Sequence, residues 1–238
     1  MHGSQKHHAK KTVKVACYVP IKLNNQRLPG KNIKLLNGKP LCEYLFSTLC
    51  QVNNIDEKYV FCSDPAIIPY MPSGLTFLRR DERLNGPEVK NLEIIEAFVK
   101  QVDADIYMLA HVTSPFLKQE SMQTAIDKVI NGGYDSALSV VEIRSHCWYE
   151  KKPLNFDPQN VANTQELEPI LSESVGFYIF RKEVFTEKRQ RTGNNPYLHL
   201  VDAIEGIDID TEEDFYMAEA CIHNKVRKRE ENEKHPSS

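Results

Sequence analysis

VKVACYVPI (residues 13–21) runs straight into KLNNQRLPGKNIK (residues 22–34), and this junction decides the fold. The first stretch is a short apolar run of strand composition, and the second is a polar loop that follows Pro20. Leu41, Tyr44, Leu45, Thr48 and Leu49 then recur at the three-four spacing of an amphipathic helix within 39–52, and KYVFC (58–62) supplies another apolar strand. One strand–helix–strand unit is complete by residue 63. The same alternation continues with Val89, Leu92, Ile95, Ala97, Phe98 and Val99 on a helix within 88–102. A strand at 105–110, a polar turn at 111–115, a helix at 121–130 ending before Gly132 and Gly133, and a strand at 136–141 follow. Such alternation predicts an α/β fold, a mainly parallel sheet flanked by helices on both faces.

Residues 142–169 break the pattern with Pro153, Pro158 and several Asn and aromatic residues, so they read as an irregular insertion that leaves the sheet. SVGFYIF (174–180) and EGIDI (205–209) are predicted as further strands. Residues 211–223 read as a helix that Thr211 caps, with Asp214 three residues on. There is no internal repeat and no Gly- or Ser-rich linker, which leaves one domain over 13–223. The basic stretch 1–12 is expected to be disordered, and the charged tail 224–238 is expected to fray.

The 238-residue chain has 41% apolar and 26% charged residues and a formal net charge of -3, enough for a buried core and without the basic field of a nucleic-acid binder. No apolar run is long enough for a membrane span, and the start lacks the apolar stretch of a signal peptide, so the expected location is cytoplasmic. Cys17, Cys42, Cys50, Cys62, Cys147 and Cys221 show no C-x-x-C spacing and read as reduced thiols.

Three segments carry chemistry. The loop 22–34 places Lys22, Arg27, Lys31 and Lys34 after the first strand, at the carboxyl edge where open α/β sheets bind ligands, with Gly30 to let the backbone turn close to a phosphate. Its alternative is a solvated basic surface loop, and no Walker motif is present. In IDIDT (207–211), Asp208 and Asp210 lie two residues apart, on one face of an extended segment, where a Mg²⁺ ion would relieve their repulsion. The competing reading makes Asp210 or Thr211 a helix cap and Asp208 a polar edge residue. In AHVTSP (110–115), hydroxyls of a strand-end turn can reach a sugar or a base, while His111 is either an acid–base group or a packing residue.

Taken together with RLPGKNIKLLNGKPL (27–41), FCSDP (61–65), LRRDERL (78–84), HVTSPFL (111–117), DSALSV (135–140), SVGFYIF (174–180) and IDIDTEEDF (207–215), the chain resembles the cytidylyltransferases that activate acidic sugars, the CMP-N-acylneuraminate and CMP-Kdo synthetases. The resemblance spans about residues 13–223. It implies a Rossmann-like nucleotidyltransferase fold, CTP bound at the first loop, and a homodimer in which a smaller segment is exchanged or packed between subunits. It also implies that Lys31, with Asn32 beside it, contacts the triphosphate, that Arg80 lies near the nucleotide, and that Asp208 and Asp210 hold Mg²⁺. Thr113, Ser114 and Pro115 would lie close to base and acceptor. The chain departs from the family pattern in two places. Lys22 and Asn25 stand where the phosphate loop has arginine and serine, with no glycine before Gly30. His111 replaces the glutamine that helps hold the acidic sugar in sialic-acid enzymes.

The expected reaction is in-line attack of an acceptor hydroxyl on the α-phosphorus of CTP, with Lys31, Arg27 and Lys22 stabilising the pyrophosphate that leaves. The partners expected are therefore CTP and a small anionic sugar-like acceptor, which Arg144, His146, Trp148 and Tyr149 of the insertion are assigned to contact, unless these aromatics pack a subunit interface. A nucleotide-sugar glycosyltransferase and a catalytically silent nucleotide-binding protein are the rival readings.

Overall fold

The computed structural model describes residues 13–25 and 27–234, the stretch 225–234 as backbone only. The expected disordered segment 1–12 and the last four residues of the charged tail lie outside the described residues. In chain order the elements are β1 (Val15–Ile21), β2 (Leu35–Leu36), β3 (Lys39–Pro40), α1 (Leu41–Gln51), β4 (Glu57–Cys62), β5 (Thr76–Arg79), α2 (Asn91–Val99), β6 (Ile106–Ala110) and α3 (Gln119–Asn131). They continue with β7 (Ser136–Ile143), β8 (Trp148–Tyr149), β9 (Lys152–Pro153), β10 (Ile170–Arg181), α4 (Lys182–Lys188), β11 (Pro196–Leu200) and α5 (Glu212–Lys234).

Seven strands form one sheet in the order β11-β7-β10-β6-β1-β4-β5. Every neighbouring pair is parallel except the two made by β10, which runs against both β6 and β7. The expected mainly parallel sheet is thus present, with one reversed strand. Period two in β1 divides the core: Val15, Cys17, Val19 and Ile21 pack with residues of α1 and α3, while Ala16 and Tyr18 pack with Phe98 of α2 and Val184 and Phe185 of α4. Helices therefore cover both faces, which suits β1, β4 and β6 as near-continuous apolar runs.

A third, smaller cluster has the most consequence for the site. Leu28, Leu36 and Leu41, from the loop after β1 and the start of α1, are buried against Ile209, Phe215 and Ala218. Burial of these apolar side chains pins the cationic loop against the segment that carries the acids, at roughly 25 cal/mol for each Å² of apolar surface removed from water.

Three expectations are corrected. Residues 205–209 are not a strand: Glu205 and Gly206 lie in a turn, and the extended segment after it makes one backbone link, Ile209 N–H to the Thr113 carbonyl at 2.8 Å. What overrides the apolar alternation is the anchoring of Glu205, 2% exposed, by Lys118, whose backbone N–H donates to it at 3.0 Å and whose ammonium lies 3.2 Å away. Gly206 is needed there because a Cβ would fall 2.4 Å from the Val141 side chain. The helix expected to stop at His223 continues as α5 to Lys234, through the charged stretch expected to fray. Lys, Arg and Glu are good helix formers, and a nucleated helix extends readily. Finally, β5, α4 and β11 appear where no element was expected.

Candidate active site

The loop after β1 closes with Gly30 in the left-handed region (φ 65), followed by a single helical turn over Lys31–Ile33. That turn sends Lys31 inward. Its side chain, 8% exposed, donates from Nζ to the Ile209 carbonyl at 2.6 Å and to Asp210 Oδ1 at 3.0 Å. Arg27, largely exposed, donates to Asp210 Oδ2 at 2.8 Å. Burial alone would raise the Asp210 pKa, but the hydrogen bond and charge of Lys31, with the charge of Arg27, hold it below the usual carboxylate value.

Helix capping and cation pairing fall to different side chains. Thr211 caps α5: its Oγ1 accepts from the Asp214 N–H at 3.3 Å, and Asp214 Oδ2 accepts the backbone N–H groups of Asp210 at 3.0 Å and Thr211 at 2.8 Å. Asp210 keeps its own carboxylate for the cations. Asp208 differs again: its Oδ1 is buried without a hydrogen-bond partner, and burial raises its pKa despite a hydrogen bond from Thr113, with Asp210 pushing the same way. An unpaired buried carboxylate oxygen beside a second carboxylate is an oxygen donor set that fits a hard divalent cation. Among the described residues no group of three His, Cys, Asp or Glu side chains forms a complete cage. The arrangement therefore suits Mg²⁺, which commonly takes one or two carboxylates and leaves its remaining positions to water and phosphate oxygens.

Lys22, Asn25, Lys31, Asn32, Arg80, His111 and Thr113 line one crevice at the carboxyl end of the parallel strands. Lys22, Asn25 and Lys31 also line an adjoining hollow with Arg27 and Asp210. Asn32, buried, donates from Nδ2 to the Lys22 carbonyl at 2.8 Å, which fixes the loop's entry, and its Oδ1 has no partner. Gly30 shapes the turn rather than lining the space. Ser114 lies wholly buried behind the turn, its backbone N–H on the His111 carbonyl at 3.1 Å and its hydroxyl without a partner.

Arg80, 2% exposed, is held by a chain that sequence spacing does not reveal. Its NH2 donates to Asn85 Oδ1 at 2.6 Å, and Asn85 Nδ2 donates to Ser63 Oγ at 2.7 Å. Burial lowers the Arg80 pKa, and its Nε is buried with no partner. His111 sits on the crevice wall with Nε2 buried and unpaired and its ring edge-on to Tyr178, centroids 6.4 Å apart. Burial, with the charges of Arg191 and Lys31, pushes its pKa down to about 4, so the imidazole is neutral at pH 7.

The structure does not bring the insertion residues to this crevice. Arg144 pairs with Glu142 at 3.1 Å, His146 Nε2 lies 3.1 Å from the Ala162 carbonyl, and Trp148 and Tyr149 are 61% and 65% exposed on the β8–β9 hairpin. None of the four lines it; His146 and Trp148 instead pack edge-on against Phe156.

A mostly parallel sheet whose carboxyl edge joins a cationic loop to an acid pair is a Rossmann-like fold of the nucleotidyltransferase type. A solved CMP:2-keto-3-deoxy-manno-octonic acid synthetase complexed with CTP has the same fold, with a TM-score of 0.67 at 17% identity over 89% of this chain and 99% of that one. The chain belongs to the cytidylyltransferase family, whose model matches residues 16–234. It is 25% identical over 219 residues to the N-acylneuraminate cytidylyltransferase of Oncorhynchus mykiss, covering 87% of this chain and 50% of that protein. It is 34% identical over 193 residues to 3-deoxy-manno-octulosonate cytidylyltransferase 2 of Hydrogenovibrio crunogenus, covering 79% and 73%. The chain spans about half the length of the N-acylneuraminate relatives it matches.

Proposed function

We propose that the protein transfers CMP from CTP to an acidic 2-keto sugar of the sialic-acid or Kdo kind and releases pyrophosphate. The observation that carries this reading is the meeting of Lys31, Arg27 and Asp210 beside Asp208, whose Oδ1 is buried without a partner, on the rim of a crevice that also holds Arg80 and His111.

In this reading Lys22, Asn25, Arg27 and Lys31 take the triphosphate, and Arg80 lies toward the nucleoside. The acceptor's hydroxyl oxygen attacks the α-phosphorus in line, forming the new P–O bond as the bond to the bridging oxygen of pyrophosphate breaks. Lys31 and Arg27 stabilise the negative charge that builds on the leaving group, and burial of Lys31 strengthens that effect because little water competes. Asp208 and Asp210 would hold Mg²⁺, which supplies charge neutralisation on the phosphate oxygens. His111, neutral at pH 7, offers the acceptor a hydrogen-bonding nitrogen without adding charge.

The insertion gains a different role from the acceptor contacts first assigned to it. Trp148, Tyr149, Leu154 and Val161 are each more than half exposed, an apolar arm suited to packing against a second copy in a homodimer. Six free cysteines suit a reducing cytoplasm, and no described helix is long and apolar enough to cross a membrane.

A pyrophosphate-release assay with CTP, UTP, ATP and GTP against N-acetylneuraminate and 3-deoxy-manno-octulosonate tests the reading. Release with CTP and one of these acids is expected; no release with any pair sinks it.

A further inference from the structure

β10 does not run evenly past β7. Its register shifts between Glu173 and Tyr178, and Val175 in the shifted stretch sits in the left-handed region (φ 63), a strained conformation for a β-branched residue. Ser139 holds the irregularity in place: its Oγ accepts from the Ser174 hydroxyl at 2.8 Å and from the Phe177 N–H at 3.3 Å. The Gly176 carbonyl accepts the His111 N–H at 3.1 Å, so the strained stretch is joined directly to the crevice wall.

The bulge sets up a stack of side chains that continues outward from His111. Tyr178 stands edge-on to the His111 ring and donates its hydroxyl to Glu173 Oε2 at 2.6 Å. Arg191, from the loop after α4, lies over Tyr178 with its guanidinium carbon 3.7 Å from the ring centroid. Its NH2 reaches the same Glu173 oxygen at 3.0 Å. One carboxylate oxygen therefore fixes both the phenol and the guanidinium, and the aromatic face fixes the guanidinium's plane. The side chain of Arg191 is 26% exposed, and among the described residues its hydrogen bonds go to Glu173 alone, so most of its fork of N–H donors is left for another acceptor. Tyr178 thus links Arg191 to His111, which lines the crevice with Lys31 and Thr113.

We propose that Arg191, stacked on Tyr178 and braced by Glu173, is the residue that recognises the carboxylate of the acceptor. This rests on the cytidylyltransferase reading and adds to it the group that selects an acidic sugar over a neutral one. A planar guanidinium held by an aromatic face and by Glu173 pairs well with a carboxylate, because the fork matches its two oxygens and little side-chain freedom remains to be lost. Glu173 does not repel that ligand strongly, since its inner oxygen is already shared by two donors. The insertion arginine, Arg144, is tied to Glu142 and does not line the crevice.

The test compares each acid with its own methyl ester. Initial rates of pyrophosphate release are measured with CTP and N-acetylneuraminic or 3-deoxy-manno-octulosonic acid, and with the corresponding esters. In the unmodified protein kcat/KM for the acid should exceed that for the ester by about 10–100-fold, the range for a charge-assisted hydrogen-bonded pair. Arg191→Gln should bring the ratio close to one by raising the KM of the acid, with the KM for CTP within about twofold of its starting value. A purely structural Arg191 would lower acid and ester together and leave the ratio unchanged, and that result overturns the proposal. If Arg191→Gln does not fold, Arg191→Lys carries the test: it keeps the charge and loses the fork, so the ratio should fall part of the way, and an unchanged ratio again overturns the assignment. Absence of pyrophosphate release by the unmodified protein with both acids overturns the cytidylyltransferase reading itself, and the proposal with it.

Discussion

Lys31 Nζ lies 3.0 Å from Asp210 Oδ1 across 179 positions of chain, and the same ammonium donates to the Ile209 carbonyl. One buried cation thus fixes the loop after β1 to the acidic segment before α5. Lys31→Met should lower kcat/KM for CTP by about 10²–10³-fold, the usual effect of removing one charge-stabilising donor. Asp210 retains Arg27, so the melting temperature should fall by only a few degrees. Stopped or initial-rate pyrophosphate release with a thermal melt measures both, and a variant with undiminished kcat/KM would remove Lys31 from the reaction.

Asp208→Asn separates activity from stability. The Asp208 carboxylate, with one oxygen buried and unpaired beside Asp210, is unfavourable to the fold when charged, so the amide should leave the melting temperature unchanged or raised while pyrophosphate release drops at least about 100-fold. The sign follows from linkage: a raised carboxyl pKa in the folded state means that stability is lost as pH climbs and Asp208 ionises. Any stabilisation in the variant should therefore appear near neutral pH and vanish in acid. EDTA added to the unmodified protein should abolish turnover as the substitution does.

Glu205 does its work out of the crevice. Glu205→Ala removes one of two carboxylates paired with the Lys118 ammonium, leaving Asp202, and deprives the Lys118 backbone N–H of its acceptor, a loss of about 1–3 kcal/mol in chemical denaturation. Because the same turn leads into Asp208, the variant should also lose kcat more than it gains in KM for CTP. A stability change below about 0.5 kcal/mol, the usual size for a surface substitution, would contradict the anchoring role.

His111 predicts a pH dependence. Its pKa of about 4 in the fold lies below the ordinary imidazole value of 6.5, so between these limits the unfolded chain binds a proton that the native one does not. Stability should fall as pH drops from 6.5 toward 4, and His111→Gln should flatten that part of the curve. Denaturation midpoints collected at intervals across this window are the measurement, and parallel curves for the two proteins would rule out a buried neutral imidazole.

How much was legible depended on how strongly burial marked each element. β1, β4, β6, β7 and the Gly176–Phe180 part of β10 are buried, and their apolar runs announced them. β5 and β11 are edge strands of mixed exposure, and Pro196 opens the second; half-exposed edges carry neither a continuous apolar run nor a clean alternation. EGIDI misled because alternation of Ile and Asp records an extended backbone with one buried side, and Ile209 is buried in the third cluster without any strand beside it. At the candidate site, Lys31, Asp208 and Asp210 were singled out from charge and spacing, whereas Asn85, Ser63, Glu173, Tyr178 and Arg191 are joined by side-chain contacts 5 to 22 residues apart that follow no helix or strand period.

The order of apolar runs, the cationic loop behind the first of them and the paired acids were written in the sequence, because periodicity and charge are local properties of neighbouring residues. Tertiary structure alone decided that Asp210 faces Lys31, that the insertion's arginine does not line the crevice, and that Arg191 comes to rest on Tyr178. Those outcomes depend on which burial contacts and ion pairs close together in space, and loop closure over tens of residues leaves no trace in residue spacing.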